Sequence, residues 1–576
     1  MTSKSSISPL FDSSGNIIVN NLEKANIFKS HFSSVFVQDN AVIPDSCLNE
    51  SCDNMFNDKI NSVYFSSFNV FNQIKKLKSS GAPGWDGVSS IILKKLIYVV
   101  SYPLSILFNL SLSSDEVPKA WKYAIITPVY KNGDAKNAAN YRPISLTSVV
   151  CKLMEGIVKD SIIRYCTSNN LLSKYQFAFM PRRSTNMQLI QYHDFIATNC
   201  AKGYQVDSVY LDFKRAFDSV VHCKLLHKLT LFGVSGNLLK WIESFLSDRF
   251  YAVRVGNFYS ERTPVLSGVP QGSVLGPLLF IIFINDLIDC CNNESCSIFV
   301  FADDAKCFSC IKSYLDCEKL QTTLNAIEIW SNEWQLPLAL NKCQLISFYL
   351  RNSHISFQYS LLNGPLLCVD TITDLGVILT SDFSFSKHIN KLCSKARCRS
   401  AMILKCFQSR DRLLLFRAFI VYVRPILEYC SNVWSPYKLC EIRKIESVQR
   451  QFTKKLRGLE DLSYPDRLKC LKAEPLEIRR VKFDLSLYYK ILYELVDFPG
   501  EPLIQVRDVR TRSNGLTLYK ERFNCNIERY IFRSRCINIW NCLPQNVVSS
   551  SDLCLFKSRL KSLDLDPIIL KAYASS

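Results

Sequence analysis

Two short β-prone runs in this chain each lead into aspartate. The run 209–211 (VYL) is followed directly by Asp212, and the run 297–301 (SIFVF) soon reaches the adjacent Asp303 and Asp304. A carboxylate at the end of a buried strand is costly unless a cation or a hydrogen-bond donor faces it. A further β-prone stretch follows the second run, so the pattern predicts a β-hairpin with two carboxylates at its tip.

Three carboxylates that a fold brings together favour a hard divalent cation. Mg²⁺ prefers carboxylate oxygens together with substrate phosphates. Two such ions about 3.5–4 Å apart can activate an attacking oxygen and stabilise a leaving one. The sequence therefore predicts that Asp212, Asp303 and Asp304 hold two Mg²⁺ ions, with Mn²⁺ as the alternative metal. The simpler interpretation is that the paired aspartates form only a turn, where aspartate is common.

The positive charge of the chain is concentrated in its last third. Residues 381–576 contain 36 Lys and Arg against 20 Asp and Glu, a net of +16 out of +19 for the whole chain. A local basic field suits a polyanionic partner. Nucleic acid is therefore the favoured partner, and a solvated lysine-rich surface is the alternative.

The sequence shows no pattern for secretion or membrane insertion. The start of the chain lacks a secretory signal. The longest apolar runs, 96–112 and 277–284, are interrupted by polar residues or shorter than the roughly 20 residues that a span requires. We interpret both runs as buried helices and expect no membrane contact.

The cysteines indicate a reducing environment. The 24 cysteines are scattered along the chain, which is typical of free thiols inside a cell and not of a disulfide framework. Cys307 and Cys310 have no second pair at zinc-site spacing, so zinc is not expected. We expect an intracellular protein of the nucleus and cytoplasm.

Several segments resemble the motifs of reverse transcriptases, in the order in which that family has them. The matching segments are 128–134 (PVYKNGD) and 141–146 (YRPISL) for the fingers, 210–218 (YLDFKRAFD) for motif A, 267–277 (SGVPQGSVLGP) for motif B, 301–304 (FADD) for motif C, 340–343 (LNKC) for motif D and 374–377 (DLGV) for motif E. The resemblance is to non-LTR retrotransposons (LINEs) of the jockey-like group, because it extends to 81–87 (GAPGWDG) and 537–544 (INIWNCLP).

The resemblance implies an α+β fold, a right-hand polymerase of fingers, palm and thumb with a helical basic C-terminal region. It implies an RNA-directed DNA polymerase that copies retrotransposon RNA from a DNA primer with dNTPs. The expected boundaries are 1–70 for an N-terminal linker or arm, 71–200 for the fingers, 110–380 for the reverse transcriptase domain, 381–500 for a helical thumb and 501–576 for the basic C-terminal region.

The resemblance also implies roles for single residues around the metals. Lys131 and Arg142 would bind triphosphate oxygens, and arginine suits this because its planar fork binds phosphate through two bonds. Lys342 would protonate the leaving pyrophosphate as a general acid. The alternative for Lys131 and Lys342 is that each is an ordinary surface charge.

Four further residues are implied at the nucleotide itself. Phe217 would close the space beside the sugar 2′ carbon and so exclude ribonucleotides; the alternative is a phenylalanine of the core. Phe213, Gln271 and Gly272 would line the site of the incoming nucleotide.

Basic residues of the last third would contact nucleic acid. The thumb would follow the duplex backbone, since phosphate contacts position a duplex without reading its sequence; its candidate residues are Lys391, Lys395, Arg397, Arg399, Lys405 and Arg410. The C-terminal region would hold the element RNA through Arg510, Arg512, Arg533 and Arg535.

Two departures from the family pattern leave a second function open. Nothing resembles the apurinic-type endonuclease with which such proteins usually begin, so we expect a truncated element or a gene model begun downstream. Ala178 and Arg182 stand where the family commonly has glycine, which permits positive φ and close backbone approach. The alternative is therefore an inactive remnant that binds RNA. An intron maturase and a viral RNA-dependent RNA polymerase fit the motifs less well.

Overall fold

The computed structural model describes residues 7–44, 59–291, 296–350, 354–499, 502–507, 516–521, 523 and 525–574. The strands in chain order are β1 (Leu10–Phe11), β2 (Ile17–Ile18), β3 (Tyr123–Tyr130), β4 (Tyr141–Leu146), β5 (Gln205–Leu211), β6 (Phe250–Val255), β7 (Phe258–Tyr259), β8 (Thr263–Pro264), β9 (Cys296–Phe301), β10 (Asp304–Ile311), β11 (Gln344–Phe348), β12 (Ser360–Leu361), β13 (Gly364–Pro365), β14 (Leu367–Cys368), β15 (Thr371–Asp374) and β16 (Val377–Thr380).

The helices begin where side chains can satisfy the first backbone N–H groups. Asn20 accepts hydrogen bonds from the N–H groups of Leu22 and Glu23 at the first helix, and Ser313 and Asp316 form a capping box. The helices in chain order are α1 (Asn21–Ser33), α2 (Ser67–Lys76), α3 (Ser90–Lys95), α4 (Ile97–Ser113), α5 (Val149–Ser168), α6 (Thr185–Ala201), α7 (Ala216–Ser219), α8 (His222–Leu231), α9 (Gly236–Leu246), α10 (Gly276–Ile284), α11 (Tyr314–Glu333), α12 (Ser386–Cys406), α13 (Arg412–Tyr422), α14 (Arg424–Glu428), α15 (Ser431–Trp434), α16 (Leu439–Lys454), α17 (Tyr464–Leu471), α18 (Leu476–Leu492), α19 (Asn526–Tyr530), α20 (Phe532–Arg535), α21 (Ile537–Asn541), α22 (Gln545–Val548), α23 (Leu553–Ser562) and α24 (Asp566–Ala574).

A central sheet with the strand order β14-β11-β5-β10-β9 carries the predicted carboxylates. Strand β5 lies in the middle because it pairs antiparallel with both β10 and β11. Successive side chains of a strand point to opposite faces. Accordingly Val209 and Leu211 pack in one apolar core, while Val206 packs in a second core behind the sheet. The sheet is thus buried on both faces, and functional side chains can reach solvent only at its ends.

The predicted hairpin is confirmed. Strand β9 runs into β10, and Asp304 pairs with Phe301 at the first position of β10. On the other edge of β10, Ala305 pairs with Leu211, the last residue of β5. This register places the hairpin tip beside the end of β5.

A second sheet has the strand order β4-β3-β6-β7, and β8 also pairs with β6. The N-terminal segment packs on it and is more than a linker: Leu10, Phe28 and Phe32 are buried against Tyr251 and Val253 of β6 and its neighbours. The expected boundary at residue 70 also falls inside α2. The amphipathic pattern of the arm is therefore explained by the packing of its apolar side on the second sheet, with which it shares one core.

The two apolar runs have different environments. The run 277–284 forms most of α10 and is buried as predicted. The run 96–112 forms α4, but the prediction of a buried helix is wrong there, because one whole face of α4 is exposed, including Tyr98 and Tyr102. In the described part of the chain, no helix is long and apolar enough to cross a bilayer.

The C-terminal helices cover the second face of the central sheet. Trp434 of α15 and Tyr488 of α18 share a core with Trp540 and Phe556, which lie beyond residue 500. The expected boundary between 500 and 501 is thus not a boundary in packing. The cysteines that the structure describes are all free thiols, as predicted.

Candidate active site

The central sheet brings the three predicted aspartates to one end. Asp212 follows the last residue of β5, and Asp303 and Asp304 lie at the turn between β9 and β10. The pairing of Ala305 with Leu211 sets Asp304 beside the end of β5. The three carboxylates therefore come together through strand pairing, although they are far apart in sequence.

The three carboxylates at this end of the sheet repel one another electrostatically. Burial, with the negative charge of Asp212, raises the pKa of Asp303. Burial by surrounding atoms and the negative charge of Asp303 raise the pKa of Asp304 to about 6, although the residue remains accessible to solvent. A cation bound between carboxylates that repel one another would stabilise their ionised forms.

Lys342 supplies a positive charge to this cluster. It ends a short 3₁₀ turn, and its amino group lies 3.0 Å from Oδ1 of Asp212. Both side chains remain partly exposed, at 57% and 39% respectively. In the described part of the chain, no three carboxylate, imidazole or thiol side chains already form a group that could enclose a metal ion. Because Lys342 already contacts Asp212, a metal ion would compete with Lys342 for this carboxylate.

Lys131 and Arg142 belong to the second sheet and act electrostatically on Asp303. Arg142 lies on β4 opposite Val129 of β3, and Lys131 follows the end of β3. Both side chains are exposed. Burial is the main reason that the pKa of Asp303 is raised, and the positive charges of Lys131 and Arg142 act against that rise. The structure thus places both predicted cations within electrostatic reach of Asp303.

The two predicted aromatic residues differ in accessibility. Phe217 is half-buried, and its ring stacks on Phe280 with centroids 4.2 Å apart and planes 17° apart. Phe213 is buried in the core, with its ring edge against Trp330. The expectation of a nucleotide contact is therefore corrected for the Phe213 side chain, because the ring is enclosed in the core.

The loop with Gln271 and Gly272 contacts both β4 of the second sheet and α7, the short helix that follows β5. Gln271 Nε2 donates to Oδ1 of Asp218 over 2.9 Å, and the Gln271 carbonyl accepts from the Ser145 N–H of β4 at 2.9 Å. Gly272 has a φ of +120°, and a Cβ there would lie 2.4 Å from the carbonyl oxygen of Ser145. Only glycine fits this approach, since any side chain would push the loop away from β4.

Sequence reasoning missed Glu155, which holds the same loop from behind. Its carboxylate is fully buried and accepts from the N–H groups of Val274 (2.6 Å) and Leu275 (3.0 Å), at the start of α10. A carboxylate at a helix N-terminus satisfies unpaired N–H groups and the helix dipole. The signal was a single acidic residue in the apolar stretch 149–158 (VVCKLMEGIV).

A second missed contact fixes the back of the hairpin. The amino group of Lys306, on β10, is buried and forms an ion pair with Asp374, which also accepts from the Tyr210 hydroxyl at 2.9 Å. Lys306 and Tyr210 are direct partners across β10 and β5. The pair therefore ties β15 to the two strands that carry the aspartates.

Comparison with known proteins agrees with this geometry. Residues 130–379 match the family model of the reverse transcriptase (RNA-dependent DNA polymerase). The chain carries a reverse transcriptase domain. The matched residues include the three aspartates, both cations and the loop at Gln271, and they lie within the expected range 110–380. The domain has the α+β right-hand fold that the motifs implied.

The relatives extend the likeness beyond the reverse transcriptase domain. The RNA-directed DNA polymerase from mobile element jockey of Drosophila melanogaster is 28% identical over 451 residues, which cover 76% of this chain and 49% of the relative. The probable RNA-directed DNA polymerase from transposon X-element of the same organism is 27% identical and covers 78% and 51%. The Pol polyprotein from the R1 element of Bradysia coprophila is 24% identical and covers 63% and 36%.

These matches confirm the resemblance to jockey-like non-LTR retrotransposons. The chain spans about half the length of the jockey and X-element relatives.

Of the two departures from the family pattern, Ala178 lies in the core that holds Val209 and Leu211, and Arg182 lies in an exposed turn just after it. Arg182 has a φ of +59°, in the left-handed region where glycine is free of strain. Its carbonyl accepts from the N–H of Asp497 at 3.1 Å. Ala178 is buried, and its N–H donates to Gln176 Oε1 at 2.9 Å. The strain at Arg182 is offset by contacts within the fold.

The basic residues C-terminal to the reverse transcriptase domain divide into two groups. Exposed cations follow the solvent side of α12 and the loop after it, with Arg397 partly buried; they are Lys391, Lys395, Arg399, Lys405 and Arg410. Arg535 is instead buried and paired with Asp484 at 2.8 Å. The expectation that Arg535 holds RNA is therefore wrong, because its guanidinium is used inside the fold. Arg533 faces Asp194 at 3.3 Å and is mostly buried, while Arg510 and Arg512 lie outside the described residues.

Proposed function

We propose that this chain is an RNA-directed DNA polymerase that copies retrotransposon RNA into DNA. The observation that carries the proposal is the meeting of Asp212, Asp303 and Asp304 at one end of the central sheet, opposite Lys131 and Arg142. A cluster of carboxylates facing two cations suits a substrate that brings both a metal and a triphosphate.

The second sheet and its helices are proposed as the fingers, and the central sheet as the palm. Residues 381–500 are proposed as the thumb, with the described helices beyond residue 525 packed onto it. A duplex of RNA template and DNA primer would lie between these parts, in contact with the exposed cations of α12. The free thiols suit the reducing conditions of the nucleus and cytoplasm.

The donor set fits Mg²⁺, with Mn²⁺ as the alternative, because the ligands are hard carboxylate oxygens that repel one another without a cation. Asp212, Asp303 and Asp304 would hold two ions. When bound, the ions would lower the barrier for attack by a primer 3′-hydroxyl on the α-phosphate of a dNTP.

The remaining residues would position the nucleotide. Lys131 and Arg142 would bind the triphosphate, and Gln271 would lie beside the base with its amide held by Asp218. Lys342 would leave Asp212 as the metals bind, and its amino group would then be free to protonate the departing pyrophosphate.

A primer-extension assay on a primed RNA template tests the proposal. We expect dNTP incorporation that requires Mg²⁺ or Mn²⁺ and stops in EDTA. Binding of the template without extension under any of these conditions would instead support the inactive RNA-binding remnant.

We expect Phe217 to set the choice of sugar. The exposed side of its ring would contact the 2′ carbon, while Phe280 supports the other side. Phe217→Ala should raise the use of rNTPs relative to dNTPs by about 10–100-fold, which is typical when a pocket no longer excludes a group of this size by a steric clash. Single-nucleotide incorporation with matched dNTP and rNTP measures the ratio.

Phe217→Tyr is the control, since it keeps the ring and should preserve the discrimination. If Phe217→Ala destabilises the protein but leaves the ratio unchanged, Phe217 belongs to the core alone.

We expect the exposed cations of α12 to bind duplex phosphates. Changing Lys391, Lys395 and Arg399 to glutamine should weaken duplex binding and lower the log–log salt slope by about 0.7–0.9 for each phosphate that the variant no longer neutralises. Titration of a primed RNA template at several salt concentrations measures the slope. Substitutions are preferable to deletion of residues 501–576, because deletion would remove Trp540 and Phe556 from the core.

Lys75→Gln with Lys78→Gln provides a matched control, since both lysines are exposed and lie on or beside α2. An equal change of slope per charge removed in both variants would mean that the weaker binding reflects net charge and not a contact surface on α12.

A further inference from the structure

Helix α4 exposes large apolar residues to solvent, while its buried side combines serines with Phe108 and Leu112. Its sequence, IYVVSYPLSILFNLSLS, contains no charged residue. The buried side carries Ser101, Ser105 and Ser111, which satisfy their hydroxyl groups through backbone carbonyls at 2.5–2.7 Å. Ser111 also accepts from the Trp241 indole at 3.0 Å. The polar groups on the buried side of α4 therefore have hydrogen-bond partners, so a rotation of the helix that exposed them would gain no hydrogen bonds.

The solvent side of α4 is a continuous apolar surface, which we call the α4 apolar face. Residues three and four apart on a helix are neighbours, so the exposed apolar residues form one stripe. They are Tyr98 (85% exposed), Val99 (69%), Tyr102 (66%), Ile106 (45%), Leu107 (39%) and Leu110 (59%).

The size of this face reaches the upper end of what a free surface usually carries. An aromatic side chain presents roughly 150–250 Å², so Tyr98 and Tyr102 alone expose roughly 300 Å². The largest apolar patch on a typical monomer is about 300–600 Å², and four aliphatic residues add to the two tyrosines. A patch of this kind indicates a binding surface.

The charges around the face restrict its partner. Lys94 and Lys95 precede the helix, whereas the exposed Glu116 follows it; Asp115, between the helix and Glu116, is paired with Lys240 at 3.3 Å. A nucleic acid needs cations along its contact, and the stripe itself has none. A helix lying on a membrane surface keeps a polar, basic face opposite its apolar one, but the opposite face of α4 is packed against α2 and α9.

We propose that the α4 apolar face binds the same face of a second copy of this chain, with the two helices antiparallel. A two-fold axis pairs one patch with itself. In the antiparallel arrangement the basic end of each α4 lies beside the acidic end of the other, and the helix dipoles also oppose each other favourably. The apolar stripe is uncharged along its length, so no like charges meet at its centre.

Sedimentation velocity of the full chain over a range of concentrations tests the proposal. We expect a reversible dimer, and we expect Tyr102→Glu and, separately, Ile106→Glu to weaken it at least tenfold. Leu315→Glu is the matched control, because Leu315 is 57% exposed near the start of α11 and should leave the dimer intact. Unchanged circular dichroism and thermal unfolding show that each variant is folded.

A charge exchange tests the antiparallel arrangement. Glu116→Lys should weaken the dimer by about two- to fivefold, the range of exposed ion pairs, and adding Lys95→Glu should restore it. A chain that stays monomeric at all concentrations, or a dimer that survives both glutamate variants, would overturn the proposal. Monomers that bind lipid vesicles through Tyr102 would also overturn it and would assign the face to a membrane.

Discussion

Replacing Asp303 with alanine is expected to abolish primer extension while leaving duplex binding largely intact. Asp303 lies at the hairpin tip beside the end of β5, where it would hold both metal ions. Bound metals stabilise the transition state by several kcal/mol, and each 1.4 kcal/mol or so changes the rate tenfold, so a loss of at least about 10³-fold is expected. Asp212→Ala should have a similar effect and Asp304→Ala a smaller one.

Two measurements separate this result from general damage. Duplex affinity should change little, because the proposed phosphate contacts are made by α12. Mg²⁺ should raise the unfolding temperature of the unaltered chain, since a ligand that binds only the folded state stabilises it. This increase should be much smaller in Asp303→Ala. Asp461→Ala, at an exposed carboxylate, is the control, and substantial turnover by Asp303→Ala would remove the aspartates from the mechanism.

Arg535→Ala is expected to destabilise the C-terminal core by about 3–5 kcal/mol, the usual cost of breaking a buried ion pair. The Arg535 guanidinium donates two hydrogen bonds of 2.8 Å to the carboxylate of Asp484 and a third, of 2.6 Å, to the carbonyl of Asn432. Both side chains are nearly inaccessible, at 10% and 3%. Although burial alone would lower it, Asp484 raises the pKa of Arg535.

Urea unfolding followed by tryptophan fluorescence measures this loss of stability, because Trp434 and Trp540 lie in the same core. Arg529→Ala, at an exposed arginine of α19, should change stability by less than about 0.5 kcal/mol. A double variant, Arg535→Met with Asp484→Leu, should recover part of the stability, since neither member of the pair is then left as an uncompensated buried charge. If Arg535→Ala keeps full stability but weakens RNA binding, the guanidinium contacts nucleic acid after all.

The sequence by itself determined the parts of this protein that depend on local pattern. The run before Asp212 and the run before Asp303 predicted strands that end in carboxylates, and the structure has β5 and the β9–β10 hairpin there. The uninterrupted apolar stretch 277–284 predicted a buried helix, and the structure has α10 there. Strand and turn preferences act over a few residues, so they can be read without knowing what lies nearby in space.

Single roles were only partly predictable from sequence. Phe213 and Phe217 belong to one motif, yet Phe213 is turned into the core and Phe217 is half-exposed. Glu155 belongs to no motif that the sequence revealed, although it holds the loop of Gln271 and Gly272. These differences depend on which way the chain turns after a strand and on which helix packs behind a loop.

Only the tertiary structure decided which charges and apolar faces are used inside the fold. Arg535 looks like any other arginine of a basic tail, but Asp484, 51 residues earlier, pairs with it inside the core. The run 96–112 looks like a core helix, but α2 and α9 cover only one side of it. Burial depends on neighbours that are distant in sequence. The local sequence around a side chain is the same whether that side chain contacts a partner within the fold, water or a second molecule.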